Sequence, residues 1–180
     1  MLREFKKFAD HEILIRELNR HDLKRVKEFQ KYINALIDED AKILLNKKLS
    51  LKEEKEWIKR ELREIRNKEK IVLIAESNKE IVGICEARKG RYRQSHIVEL
   101  GISIKKEFRG IGLGKYLMKK VMKVAKKKLK PKYFLLHVFA NNYIAINLYK
   151  KLGFKEVART PKLLQYRGKL IDDITMMKKA

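Results

Sequence analysis

Cysteine is nearly absent: Cys85 is the only one in 180 residues, so no internal disulfide can hold this chain. It sits inside the apolar run Ile81 to Ala87 and reads as a core residue rather than a nucleophile. One cysteine and four scattered histidines give no ligand spacing, so no metal is expected. No apolar run approaches the ~20 residues that a membrane span needs, and the N-terminus lacks a signal-peptide pattern. These gaps exclude a membrane partner and make a reducing cytoplasm the expected location. Neither a repeat nor a low-complexity tract is present, although lysine recurs throughout. Acidic residues are also short: 23 stand against 46 basic ones, for a formal net charge of +23.

What is present suits one packed domain. At 44% hydrophobic content the chain can build a genuine core, and residues 1–180 are expected to form a single domain. Ile13 to Leu18 alternates like a first strand. Leu23, Val26, Phe29, Ile33, Leu36 and Ile37 fall at helical spacing, with Asn19 and Asp22 as capping candidates. Ser50-Leu-Lys-Glu53 is a capping box, followed by an apolar face at Leu51, Trp57, Ile58, Leu62 and Ile65. Ile71 to Glu76 and Ile81 to Arg88 read as strands joined through Asn78-Lys79, and His96 to Ile104 as a fourth strand. Leu117, Met118, Val121, Met122, Val124, Ala125 and Leu129 line the core face of a further helix, which has ended by Pro131. A fifth strand spans Tyr133 to Phe139. After the helix of Tyr149, Lys155 to Arg159 and Leu163 to Met177 close the sheet around a turn at Arg167-Gly168.

The most informative stretch follows the fourth strand. Arg109-Gly-Ile-Gly-Leu-Gly114 lies at the mouth of a helix, where bare backbone N–H groups and the helix dipole make a cradle for phosphate. A P-loop needs four residues between its glycines, then Lys and Ser or Thr. Here Gly110 and Gly114 bracket three, and Tyr116 stands in the hydroxyl's place. A dinucleotide fingerprint needs G-x-G-x-x-G and an acidic residue about 20 positions on. This chain has G-x-G-x-G, with nothing acidic between Glu107 and Glu156. What fits is R-x-x-G-x-G at Arg109, Gly112 and Gly114. Downstream, Asn142, Ala145, Tyr149 and Gly153-Phe154 give N-x-x-A-x-x-x-Y-x-x-x-G-F. In this order, with one helix and one strand between them, the two motifs resemble the GNAT superfamily of acyl-CoA N-acyltransferases. The resemblance runs from about Ile13 to Met177 and is sharp from Glu99 to Phe154.

The resemblance implies a mixed α/β (α+β) fold. Its central, twisted, mostly antiparallel sheet has a splayed parallel strand pair and helices on both faces. It implies acetyl-CoA as cosubstrate and direct transfer of the acetyl group to a primary amine: a protein N-terminus, a lysine, an amino acid or a small amine. By the same resemblance the backbone of Ile102, Ser103 and Ile104 lies against the cofactor amides. Arg109, Gly110, Ile111, Gly112, Leu113, Gly114 and Lys115 cradle the pyrophosphate, and Asn142 and Ala145 line the pantetheine. An N–H near Leu100 or Gly101 would face the developing oxyanion, and Tyr149 would protonate the leaving thiolate. Tyr149 also sits at helical spacing with Leu148 and Leu152, where core filling is the plainer reading, and Asn142 also suits a helix cap.

The general base stays open. Glu99 lies on the fourth strand, where family members often carry an acidic residue. His137 lies on the fifth, where ribosomal-protein alanine acetyltransferases tend to have a glutamate, and a water relay is a further route. A strand histidine is structural more often than catalytic. The charge excess, with lysines at 115, 119, 120, 123, 126, 127 and 128 along one helix, favours polyanions such as RNA or ribosomes. The competing function is therefore a basic RNA- or ribosome-associated protein that keeps the fold. Aromatic interleaving typical of RNA platforms is absent from that helix. Asp38-Glu39-Asp40 and Asp172-Asp173 would supply an acidic patch for an acceptor ammonium. The chain is expected to be a monomer or homodimer.

Overall fold

A computed structural model describes residues 2–180. The chain begins with a hairpin, β1 (Arg3–Phe8) and β2 (His11–Glu17), then two helices, α1 (Val26–Asp38) and α2 (Leu51–Arg66). A meander follows: β3 (Lys70–Ser77), β4 (Glu80–Lys89) and β5 (Ile97–Ile104). The remainder is α3 (Leu113–Lys128), β6 (Tyr133–Phe139), α4 (Tyr143–Lys151), β7 (Lys155–Tyr166) and β8 (Lys169–Lys179). The strands form one eight-stranded sheet in the order β1-β2-β3-β4-β5-β6-β8-β7. Every neighbouring pair is antiparallel except β5 and β6. This is the mixed architecture expected from the motifs. No helix among the described residues is long and apolar enough to cross a membrane.

Strand alternation sorts the core onto two faces. Val98, Leu100, Phe134, Leu136 and Val138 pack with Leu117, Val121, Ile146 and Tyr149 of α3 and α4. Val72, Ile74 and Ile84 face Phe29, Tyr32, Leu36 and Ile58 of α1 and α2. The capping box opens α2 as expected: Ser50 Oγ accepts from Glu53 N–H at 3.3 Å, and Glu53 Oε2 accepts from Ser50 N–H at 2.8 Å.

Three local expectations change. β1 precedes the strand at Ile13, its alternation hidden by the polar sequence Arg-Glu-Phe-Lys-Lys-Phe. Asn19 caps a short 3-10 turn at Arg20–Lys24 rather than α1, and Asp22 is buried there, where it takes Arg16 in two hydrogen bonds of 2.9 and 2.6 Å. β5 starts at Ile97, because His96 lies in a turn and its carbonyl accepts from Lys132 N–H at 2.8 Å.

The inward side of α2 carries buried carboxylates at Glu54 and Glu61, on either side of Ile58. The Glu54 side chain has no hydrogen bond among the described residues, and burial pushes its pKa up to about 7, with Arg60 pulling the other way. An unfolded glutamate titrates near 4.3, so folding binds a proton between those two values. Stability is therefore lost as pH rises through the folded value of about 7. Glu54→Gln is expected to match the wild type at pH 4 and to exceed it at pH 8 by about 1–3 kcal/mol. Urea melts at both pH values check this. A variant no more stable than wild type at pH 8 contradicts the burial argument.

Candidate active site

β5 and β6 begin as neighbours and then separate. Their pairing covers only Ile97↔Tyr133, Val98↔Phe134 and Glu99↔Leu135, so the strands part beyond Leu100 and Leu136. Gly90 N–H bonds Ile97 O, and Lys105 N–H bonds Val82 O, both at 2.9 Å. The β4–β5 register is unbroken between them. Alternation then assigns the odd residues of β5 to β4 and turns the N–H and C=O of Leu100, Ile102 and Ile104 into the gap. Ser103 is therefore not among the gap-facing groups expected of it. Its carbonyl and hydroxyl both lie 2.8 Å from the hydroxyl of buried Tyr32, whose pKa burial raises. Ile104 O accepts from Arg109 Nε at 2.7 Å, and the Glu99↔Leu135 pair engages the Leu100 N–H, which leaves Ile102 as the residue whose N–H and C=O both open on the gap.

The glycine loop closes the top of the gap. Gly110 and Gly112 hold φ of 80° and 89°, and a Cβ on either would meet nothing within 4 Å. Gly112 caps α3 with no side-chain hydrogen bond. The first helical bond is Tyr116 N–H to Gly112 O, 3.1 Å, so the N–H groups of the first turn are left for a ligand. Gly114 is small for a different reason. A Cβ there would lie 3.3 Å from Ile104 Cδ1 and 3.5 Å from Leu148 Cδ2, so its bareness lets α3, β5 and α4 converge. The Arg109 guanidinium pairs with Glu39 at the end of α1, and Glu39 Oε2 also accepts from Lys106 N–H at 3.2 Å. Arg109 thus pins the loop through its side chain.

α4 supplies the third wall. Asn142 Oδ1 accepts from Ala145 N–H at 3.3 Å, so Asn142 does cap the helix. Beside it Asn141 Oδ1 is buried without a hydrogen-bond partner among the described residues, an acceptor that no motif pointed to. Tyr149 is buried against Phe154, ring centroids 6.2 Å apart. Burial raises its hydroxyl pKa, and the Cys85 thiol adds to the rise. Unlike Tyr32, Tyr149 donates to nothing among the described residues. Cys85 itself is buried against Met118, as a core residue should be.

The opposite face of the gap carries the polar side chains. Glu99 is exposed, opposite Arg88 on β4 and Leu135 on β6. His137 lies two residues past Leu135, on the same face, with Nδ1 2.7 Å from Asp173 Oδ2. The loop after α1 crosses the open end: Lys42 Nζ donates to Asn141 O at 3.0 Å, and Tyr166 OH donates to Asp40 O at 2.9 Å. The expected acidic patch does not assemble. Asp38 pairs with Lys48, Glu39 with Arg109, Asp40 with Arg167 and Asp172 with Arg159. Asp172 and Asp173, as successive strand residues, point to opposite faces.

A splayed parallel pair, a bare helix N-terminus and an unengaged tyrosine thus meet at one gap. The profile of the Acetyltransferase (GNAT) family matches residues 33–154, which holds all three. The chain belongs to the GNAT acetyltransferase family. An N-alpha-acetyltransferase of Sulfurisphaera tokodaii is 40% identical over 65 residues, covering 36% of this chain and 38% of that protein. The GNAT chain therefore matches little more than a third of that relative's length. A GNAT-family acetyltransferase of Streptococcus pneumoniae superposes with a TM-score of 0.80 at 25% identity, covering 93% of this chain and 99% of that one. A Salmonella typhimurium protein solved with its cofactor acetyl-CoA superposes with a TM-score of 0.76 at 19% identity, covering 93% of each chain. At that identity the likeness concerns the fold alone.

Proposed function

We propose that this GNAT chain is an acetyl-CoA-dependent N-acetyltransferase, working by direct transfer in a ternary complex on the α-amine of a protein or peptide. The observation that carries the reading is the uncapped N-terminus of α3 beside the opened β5–β6 pair. A module that only bound a polyanion would need neither. The S. tokodaii relative's name supports an α-amine as acceptor. Acetyl-CoA brings a thioester carbonyl already open to attack by an amine.

The chain's own groups then have defined roles. The N–H groups of Gly110, Ile111, Gly112, Leu113, Gly114 and Lys115 hold the pyrophosphate at the positive end of α3. Ile102 pairs with the pantetheine amides, and Asn142 and Ala145 flank them. Tyr149, kept protonated by its burial, donates to the leaving sulfur. Glu99 and His137 face the acceptor amine. The exposed lysines of α3, at 115, 119, 123, 126 and 127, take part in no ion pair among the described residues. Lys120 and Lys128, by contrast, pair with Glu4 and Glu17. That unpaired face favours acceptors held near nucleic acid, ribosomal proteins among them.

Tyr149→Phe tests the assignment. Its kcat on a peptide with a free α-amine is expected to fall on the order of 10²-fold, with acetyl-CoA affinity unchanged by calorimetry. Unchanged turnover would return Tyr149 to core filling.

A further inference from the structure

The pairing of His137 with Asp173 was not legible from motif or period, and it bears on the open question of the base. The two side chains come from adjacent antiparallel strands. His137 on β6 stands opposite Thr175 on β8, and Asp173 lies two residues along, opposite Phe139. Asp173 is only 5% exposed, and His137 Nδ1 is the sole side-chain group within hydrogen-bond distance of its carboxylate among the described residues. The imidazole is the open member of the pair, with 48% of its side chain exposed. Thr175 Oγ1 stands 3.4 Å from the same Nδ1. Glu99 shares the face but has no hydrogen bond to orient it among the described residues.

We propose that Asp173 is a positioning residue that makes His137 the base for the acceptor amine. A carboxylate only accepts hydrogen bonds, so Nδ1 must carry the proton in the 2.7 Å contact. In a neutral imidazole the lone pair is then on Nε2, on the exposed side of the ring. Position supports this as firmly as tautomer does. The last β5–β6 pair is Glu99↔Leu135, so His137 is the first residue of β6 on this face beyond the point where the strands separate. Its ring edges the gap where the reacting carbonyl would lie.

The step balances without any further reactant. Nε2 takes one proton from the acceptor ammonium, and the freed amine nitrogen bonds the acetyl carbon as the carbon–sulfur bond breaks. Tyr149 gives its proton to the sulfur and regains one from the amide nitrogen as that nitrogen loses its second. His137 then releases its proton to solvent, for a net yield of acetamide, thiol and one proton. This chemistry selects among amines. A free imidazole titrates near 6.5, an α-ammonium near 7.7–8.0 and a lysine ammonium near 10.4. Whatever base takes the proton, the α-ammonium gives it up more readily than the lysine ammonium by roughly 300-fold. The device suits α-amines.

The inference rests on the proposed acetyltransferase activity, and its test separates the two. Asp173→Leu keeps much of the volume but removes the acceptor at Nδ1, and an imidazole without that acceptor favours the proton on Nε2. Nitrogen-15 NMR of the histidine rings is expected to show Nδ1–H in the wild type and Nε2–H in the variant. The kcat on a free-α-amine peptide is expected to fall on the order of 10²-fold, with KM for peptide and acetyl-CoA held within about threefold. His137→Ala supplies a second route that leaves Asp173 in place: it should lose activity comparably and regain part of it with added imidazole. Asp173→Leu turning over like wild type, an Nε2–H tautomer in the wild type, or full activity in His137→Ala each overturns the proposal. A wild type that acetylates no peptide overturns the acetyltransferase reading and the base role of His137, while the wild-type tautomer still decides whether Asp173 orients the ring.

Discussion

Gly112→Asp is expected to weaken acetyl-CoA binding at least about 100-fold while the chain stays folded. Three effects of one substitution combine. A Cβ at Gly112 would project into space with nothing within 4 Å, which is the volume assigned to the pyrophosphate. The carboxylate then competes as an internal anion for the N–H groups of α3 that no side chain caps. It also repels the pyrophosphate directly. The fold tolerates the change, because an acidic residue at a helix N-terminus is favourable. The left-handed φ of 89° costs an aspartate only about 1–2 kcal/mol. Calorimetric titration with acetyl-CoA, beside a thermal melt, gives the answer. Loss of binding with a preserved melt supports the cradle. Unchanged affinity would move the cofactor elsewhere and remove the basis for the acetyltransferase reading.

The glycine loop before α3 was legible in the sequence because its information is local. Arg109, Gly112 and Gly114 lie within one turn, and the spacing from Asn142 to Phe154 is set by a single helix. What escaped reading depends on partners far apart in the chain. Asp173 reaches His137 across 36 positions, through a strand register that no period encodes. Ser103 loses its expected place on the gap because the ladder's phase is fixed by Lys105 and Val82, and because Tyr32, 71 residues earlier, engages it. Arg109 illustrates both cases. Its motif position announced the loop, but its side chain turned out to serve Glu39 and Ile104 O.

The same limit hid the buried charges that support β4 and β5. Lys70→Met is expected to destabilise the chain by about 3–5 kcal/mol, lowering the melting temperature by on the order of 10 °C. Lys70 is 2% exposed, and Glu61 is fully buried. The ammonium pairs with Glu61, and with Glu86 at 2.8 Å. Burial raises the Glu61 pKa, and Lys70 is the main group opposing that rise. Without Lys70, Glu61 must stay charged in an apolar setting or take up a proton, and either course costs stability. The cluster also reaches the gap. A Cβ on Gly101 of β5 would lie 3.2 Å from Glu86 Cγ, so Glu86 packs where Gly101 has no side chain, one strand position from Leu100. Removing both charges in Lys70→Met/Glu61→Leu is expected to recover most of the loss, since an apolar pair of similar volume often matches a buried ion pair. Urea denaturation of the two single variants and the double variant measures the coupling. A single-variant loss under about 1 kcal/mol would make the pair a bystander. A double variant as weak as Lys70→Met would show that the lysine stem, rather than its charge, holds α2 against β3 and β4.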